Sequence, residues 1–169
     1  MFDRQVSPCR QSGVGLALYG FHDLVSAARR VDETRPCALV IAIDYAIDEA
    51  YLQALESAAG ALPLVIVRGM DSAELAWLLK RSDLYLRCSD RDGDAMAVRE
   101  ALYLGTPVVA SDCVERPAGV ATYATGDVGA LAGALQAALA EAAPPARAGD
   151  SASNCGVQLQ AVYREVLRS

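Results

Sequence analysis

The chain is short of almost every residue that would announce a common catalytic chemistry. Lys80 is its only lysine and His22 its only histidine. His22 stands beside Asp23 near a helix start with no serine or cysteine nucleophile context around it, so it reads as structural. Its five cysteines (Cys9, Cys37, Cys88, Cys113, Cys155) are scattered without any Cys-x-x-Cys spacing, which argues against a zinc site or a disulfide framework. Several lie in or beside predicted strands, where reduced, buried thiols of a cytoplasmic protein are the expectation. No Gly-x-Gly-x-x-Gly follows a strand, so a dinucleotide fingerprint is missing. No apolar run approaches the roughly 20 residues a membrane helix needs. No basic segment followed by an apolar stretch opens the chain, so no secretory leader is expected. The net charge of −6 gives no electrostatic case for nucleic acid or for an anionic membrane surface. Internal repeats are absent.

What is present is an apolar, alternating chain. With 169 residues, 53% of them hydrophobic, it has the size of one domain with a real core. Short apolar runs such as Ala38–Ile43 and Leu62–Val67 read as strands covered on both faces, the habit of a parallel sheet. Helical segments alternate with them, which predicts an α/β fold. The expected helices are Phe21–Val31, Asp48–Ala59, Ser72–Arg81, Ala95–Leu104 and Val128–Ala142. The expected strands are Ala38–Ile43, Leu64–Val67, Leu84–Arg87, Val108–Ala110 and Val120–Tyr123. Asp71 or Ser72 with Glu74 forms a capping signal, and Asp127 opens the later helix. Residues 1–142 thus form a Rossmann-like, doubly wound parallel sheet of about six strands. Residues 143–153, rich in Pro, Ala, Gly and Ser, form a linker to a terminal helix in 154–169 that packs on the same lobe. That helix carries Val157, Ala161, Val162, Val166 and Leu167 on or near one stripe, so weak self-association is expected.

Thirty residues, Leu84 to Cys113, carry most of the chemistry. An apolar strand runs into the acidic turn Ser89–Asp94, a helix follows, and Gly105-Thr106-Pro107 ends it ahead of a second strand. In an open α/β sheet, ligands bind at the carboxyl ends of strands, where a helix N-terminus offers backbone N–H groups to an anion. The helix is apolar almost all round, only Arg99 and Glu100 being charged, so it is expected to be enclosed and Glu100 to need a partner.

Asp92, seven residues, Glu100, then Ala101 and the Gly105-Thr106-Pro107-Val108-Val109-Ala110-Ser111 run resembles the donor-site signature of family 4 glycosyltransferases. These are retaining enzymes of the two-lobed GT-B fold, whose motif is Glu, seven residues, Glu, before an Ala-rich helix and Gly-x-Pro-Val. The likeness runs upstream through Gly69-Met70, the helix Ser72–Leu79 and Ser82-Asp83, and downstream to the helix Val128–Leu139. Asp-Gly-Asp, Val-Arg-Glu-Ala and then Arg116-Pro117 look like a bacterial polysaccharide branch. The resemblance implies one lobe of such an enzyme, which binds a nucleoside-diphosphate sugar as donor substrate and needs no cofactor. A second lobe or partner subunit would supply the acceptor site, and any peripheral membrane contact would come through that partner.

Residue by residue, the resemblance places Asp92 beside the donor sugar as an acceptor of hydroxyl hydrogen bonds. It gives Glu100 both ribose hydroxyls, Met70 with Gly69 the nucleobase, and the amides of Gly93, Asp94, Ala95, Met96 and Ala97 the phosphates. Each has a plainer rival. Asp90, Asp92 and Asp94 would also serve as a solvated, helix-capping turn; Glu100 would also serve in a salt bridge to Arg99 or Arg87; Gly69-Met70 would also serve as an ordinary βα turn. The family's diphosphate clamp, an Arg and a Lys, is incomplete: Arg10 is the arginine candidate, and Tyr19 stands before Gly20 where the lysine belongs. Arg116 in its loop is either a donor- or acceptor-facing cation or a solvated side chain. Asp92-Gly93-Asp94 is also a literal Asp-x-Asp metal motif, but it leads straight into a helix and Gly-x-Pro-Val, so no metal is expected. An EF-hand loop fails on its glycine and twelfth positions. The rivals from other classes are a nucleotide-sugar-binding regulatory module without turnover and an unrelated Rossmann-like domain.

Overall fold

The computed structural model describes residues 7–13 (as backbone), 19–43, 48–93 and 95–141. Six strands and five helices alternate in it. They are β1 (Ser7–Gly13), α1 (Phe21–Asp32), β2 (Cys37–Ile43), α2 (Glu49–Ala59), β3 (Leu64–Arg68), α3 (Ser72–Arg81), β4 (Leu84–Arg87), α4 (Met96–Tyr103), β5 (Val108–Ser111), β6 (Val120–Tyr123) and α5 (Val128–Glu141). The strands form one parallel sheet in the order β3-β2-β1-β4-β5-β6. This is the doubly wound arrangement, with its reversal of strand order between β1 and β4. The linker 143–153 and the terminal helix expected in 154–169 lie outside the described residues.

Side-chain alternation explains why helices cover both faces. Leu39, Ile41, Ile43, Leu84, Leu86 and Val109 point to one side and are buried with Phe21, Leu24 and Val25 of α1, Leu52 and Leu55 of α2, and Leu131, Leu135 and Leu139 of α5. The intervening residues serve the other side. Tyr85 and Val108 pack with Leu79, Val98 and Ala101, while Val40 and Val65 meet Leu78, with Met70 and Trp77 at the margin. No helix among the described residues is long and apolar enough to cross a membrane.

Local chemistry sets the helix ends. Asp48 accepts from the Tyr51 amide, and Asp127 accepts from the Ala130 amide. Asp71 and Glu74 complete a capping box on α3. Gly105 leaves α4 at φ 79°; its amide reaches the Leu102 carbonyl and the Thr106 amide reaches Ala101. These paired bonds are a Schellman stop. The Thr106 hydroxyl then donates to the Leu79 carbonyl across 2.8 Å, tying the end of α4 to α3.

One sequence-based expectation is corrected here. α4 is not enclosed. Val98 and Ala101 are its buried residues, whereas Met96 and Tyr103 are 64% and 90% exposed and Arg99 and Glu100 face outward. The sheet and α3 cover only one stripe of the helix, and no other described element packs on the rest. The apolar composition was a poor guide because small residues such as Ala97 leave an outer face apolar without burying it.

Candidate functional site

The strand order reverses between β1 and β4, and in doubly wound sheets the carboxyl ends at such a switch are where ligands bind. The two sides of this switch are brought unusually close. Gly20, at φ 64°, lies so near β4 that a Cβ there would sit 2.0 Å from the Cys88 carbonyl oxygen. Only glycine permits both that conformation and that approach. The contact carries Tyr19, the preceding residue, to the end of β4, where the Arg87 guanidinium lies 5.0 Å above its ring. Tyr19 also stacks on Phe21 with centroids 6.1 Å apart.

Arg87 is the last residue of β4. Its Nε donates to Asp92 Oδ2 at 2.9 Å and its Nη2 to Oδ1 at 3.0 Å. Arg116 reaches the same carboxylate from the loop after β5, its Nη1 donating to Oδ2 at 3.0 Å. The Gly93 amide donates to Oδ1 at 3.0 Å. Each Asp92 oxygen therefore accepts two hydrogen bonds, which fills the roughly four acceptor positions of a carboxylate. Side-chain exposure is 12% for Arg87, 6% for Asp92 and 3% for Arg116. Burial by itself would raise the Asp92 carboxyl, but the hydrogen bonds from Arg87 and Arg116 outweigh it and hold the carboxyl below its ordinary value.

Arg116 spends its other donors on neutral groups. Nε donates to the Ser111 carbonyl at 2.9 Å, and Nη2 lies 3.3 Å from the Ser111 hydroxyl and 3.5 Å from the Cys113 sulfur. The Ser111 hydroxyl in turn donates to the Ser89 carbonyl at 2.7 Å, so the ends of β4 and β5 are stitched together behind the arginines. Cys37 and Cys88 are buried free thiols, their pKa values pushed up to about 12 by burial, and Cys113 is half-buried.

The residues singled out from the sequence fall into three groups. Asp92, Gly93, Ala95, Met96 and Ala97 share the β4–α4 turn, with Ala95 as an N-cap that lends no side chain to the helix amides. Asp94 lies outside the described residues. Glu100 follows one turn into α4, exposed, and no side chain of another described residue bonds or pairs with it. The bridge to Arg87 considered as its rival role is not formed, since Arg87 serves Asp92. Met70 stands apart, after β3 at the sheet edge, about 14 Å away across three strand spacings. It is partly buried against Val40, Val65 and Leu78. Arg10 lies mid-strand in β1, paired with Val40 and Tyr85. That puts it about 10 Å short of the carboxyl end where a phosphate clamp would work. His22 packs edge-on against Tyr51 at 4.9 Å, the structural role expected of it.

The sequence reading missed the joining of Arg87, Asp92 and Arg116. Its only trace was a charged residue closing an apolar strand, five positions before the acid; the partner after β5 leaves no such trace.

Residues 12–141 match the family described as Glycosyl transferases group 1. The chain belongs to that family. None of the curated protein sequences matches it. Among solved structures, the UDP-forming α,α-trehalose-phosphate synthase of Burkholderia xenovorans, in complex with glucose-6-phosphate, superposes with a TM-score of 0.69 at 16% identity, over 95% of this chain and 40% of that one. Sucrose-phosphate synthase of Thermosynechococcus elongatus gives 0.69 at 19% identity, over 99% and 47%. The catalytic domain of the Helicobacter pylori cholesterol-α-glucosyltransferase gives 0.64 at 14% identity, over 96% and 98%. At these identities the likeness establishes the fold, a Rossmann-like lobe of the GT-B type. The chain spans less than half the length of the first two.

Proposed function

We propose that the chain is the nucleotide-sugar-binding lobe of a retaining glycosyltransferase of the family 4 type, from a bacterial polysaccharide branch. Its donor is a nucleoside-diphosphate sugar, and the acceptor is a polysaccharide or glycolipid held by an N-terminal lobe or partner subunit in the cytoplasm. The observation that carries this reading is Glu100: an exposed carboxylate one turn into a helix whose start lies beside that switch point. A carboxylate so placed is suited to a bidentate hold on two vicinal hydroxyls, as a ribose presents them. The amides from Gly93 to Ala97 then meet the phosphates at the positive end of α4, and Met70 lines the far end of the cleft towards the base.

Calorimetric titration against UDP-, GDP-, ADP- and dTDP-sugars tests the reading. Micromolar to millimolar binding of one of them, weakened by Glu100→Gln, supports it; no binding to any overturns it. The chain alone should transfer no sugar, because positioning of both substrates supplies much of such catalysis and half the cleft is elsewhere. Efficient transfer to an acceptor by this polypeptide alone would refute the one-lobe reading.

A second reading, a nucleotide-sugar-binding module without turnover, draws on Tyr19 in the place of the family's lysine and on the full occupancy of Asp92. Turnover on adding the cognate second lobe distinguishes the two.

A further inference from the structure

We propose that the chain's own terminal segment, residues 157–167, docks as an amphipathic helix in a groove beside β6, at the end of the sheet away from Asp92. β6 is the outermost strand, and α5, which follows it, does not roof it squarely. Leu131, Ala132, Leu135 and Leu139 turn α5 toward α1. A groove of about 550 Å³ is left between the other flank of α5 and the sheet edge. Ala134, Ala137, Ala138 and Glu141, spaced i, i+3, i+4 and i+7, form one wall; Ala121 of β6 and Pro107 ahead of β5 line the other. Ala121 and Ala137 are exposed and Ala134 and Ala138 partly so, and no described element covers them. Walls of small apolar side chains leave room for large ones from a partner, as facing layers of a core interdigitate.

The sequence supplies a matching occupant within reach. α5 ends at Glu141, on the groove's own rim, and its last turn is held by Arg35 donating to the Leu139 carbonyl. Residues 142–156, about 50 Å when extended, separate that point from residues 157–167, a span of about 16 Å as a helix. Within the segment, Leu159, Val162, Tyr163 and Val166 recur at i, i+3, i+4 and i+7, with Arg164 and Arg168 on the opposite side. An apolar stripe with a charged back is the pattern of a helix lying in an apolar groove. A flexible tether of this length holds the segment at about millimolar effective concentration. A second copy in dilute solution does not reach that value, so the occupant is the chain itself rather than a neighbour.

The test uses the full chain at micromolar concentration, read by amide hydrogen exchange and by alanine-methyl NMR. Amides of residues 157–167 should exchange at least about tenfold more slowly than in an open chain, and equally so at every protein concentration. Ala137→Arg, at an exposed wall position away from the core, should abolish that protection. Val162→Asp, within the segment, should abolish it too. It should also shift the Ala121, Ala134, Ala137 and Ala138 methyl resonances while the buried Ala101 methyl, on the other face of the sheet, stays in place. Should Ala137→Arg fail to fold, Val162→Asp alone decides. Residues 157–167 exchanging as an open chain, or staying protected in both variants, overturn the proposal. Loss of protection with no movement of those four methyls puts the segment elsewhere on the lobe and overturns it. Protection that grows with concentration alongside a dimer in sedimentation puts a second copy in the groove and overturns it as well.

Discussion

Two turns of the same sheet begin alike and end differently. After β3, Arg68-Gly69-Met70-Asp71 leads into α3; after β4, the turn holding Asp92 leads into α4. Asp71 gives its carboxylate to its own helix, accepting from the Ala73 and Glu74 amides at 2.8 Å each, while Glu74 reaches back to the Asp71 amide. Asp92 gives its carboxylate to two arginines and a single loop amide, and α4 starts without a side-chain cap. One helix start is closed by its own sequence, and the other is left open beside a fixed guanidinium. An acid before a helix is thus no guide to function until its hydrogen bonds are known. A cap spends the anion-binding capacity of a helix end on stability, and an uncapped end keeps that capacity for a ligand.

The comparison breaks most readily at Asp92. Asp92→Ala leaves two largely buried guanidiniums without their shared carboxylate, and should destabilise the chain by about 3 kcal/mol in urea unfolding. A loss below about 0.5 kcal/mol, the size of an ordinary surface change, would mean the network is ornamental. Acid tests the same pair. The Asp92 carboxyl is held below its ordinary value of 3.8, so its contribution is complete above that value and is lost as pH falls through the lower, folded-state value. The stability gap between parent and Asp92→Asn should therefore be constant near neutrality and close in strong acid. A gap that closes between pH 7 and 5 would assign the effect to another group.

Glu100→Gln comes next in size. Binding of the best nucleotide should weaken by about 2 kcal/mol, the loss of a charge-assisted pair of hydrogen bonds, with unfolding unchanged because Glu100 is exposed. Unaltered binding at matched stability would remove the ribose role. Asp71→Ala should cost about 1 kcal/mol of stability, the worth of a cap, and leave nucleotide affinity alone. If Asp71→Ala weakened nucleotide binding as much as Glu100→Gln, the division of labour between the two turns would be wrong.

Much of this was legible in the sequence, for physical reasons that differ along the chain. β2 (Cys37–Ile43) is an unbroken apolar run and could scarcely be anything else in a sheet covered on both faces. The capping box of α3 is local, written within four residues. β1 was not legible: Ser-Pro-Cys-Arg-Gln-Ser-Gly has no apolar run or alternation, yet it pairs with both β2 and β4 at the centre of the sheet. Its place is imposed by neighbours rather than by its own composition. The order strand, acidic turn, helix was legible too, and in a parallel sheet it puts the β4–α4 turn at a carboxyl strand end. The partners of Asp92 were not, since Arg116 is 24 residues away and only tertiary structure brings it there. Glu100 was expected to be enclosed because its helix is apolar, but composition reports what a helix is made of, not what lies against it.

The smallest expected effect is that of a divalent ion. Asp92-Gly93-Asp94 has the letters of a metal motif, and the comparison of turns says why they should not act as one. A divalent ion at Asp92 would have to displace guanidinium donors from a carboxylate whose oxygens already accept two hydrogen bonds each, and it would do so against their positive charge. On the proposed nucleotide-sugar reading, the helix amides supply the neutralisation that the ion would otherwise bring to a diphosphate. Nucleoside diphosphate affinity measured in EDTA should therefore match that in millimolar manganese to within about twofold, once the metal's own complex with the nucleotide is accounted for. A gain of about tenfold or more that disappears in Asp92→Asn would place the ion on Asp92 and dissolve the contrast, making the β4–α4 turn a metal site whose arginines yield to it.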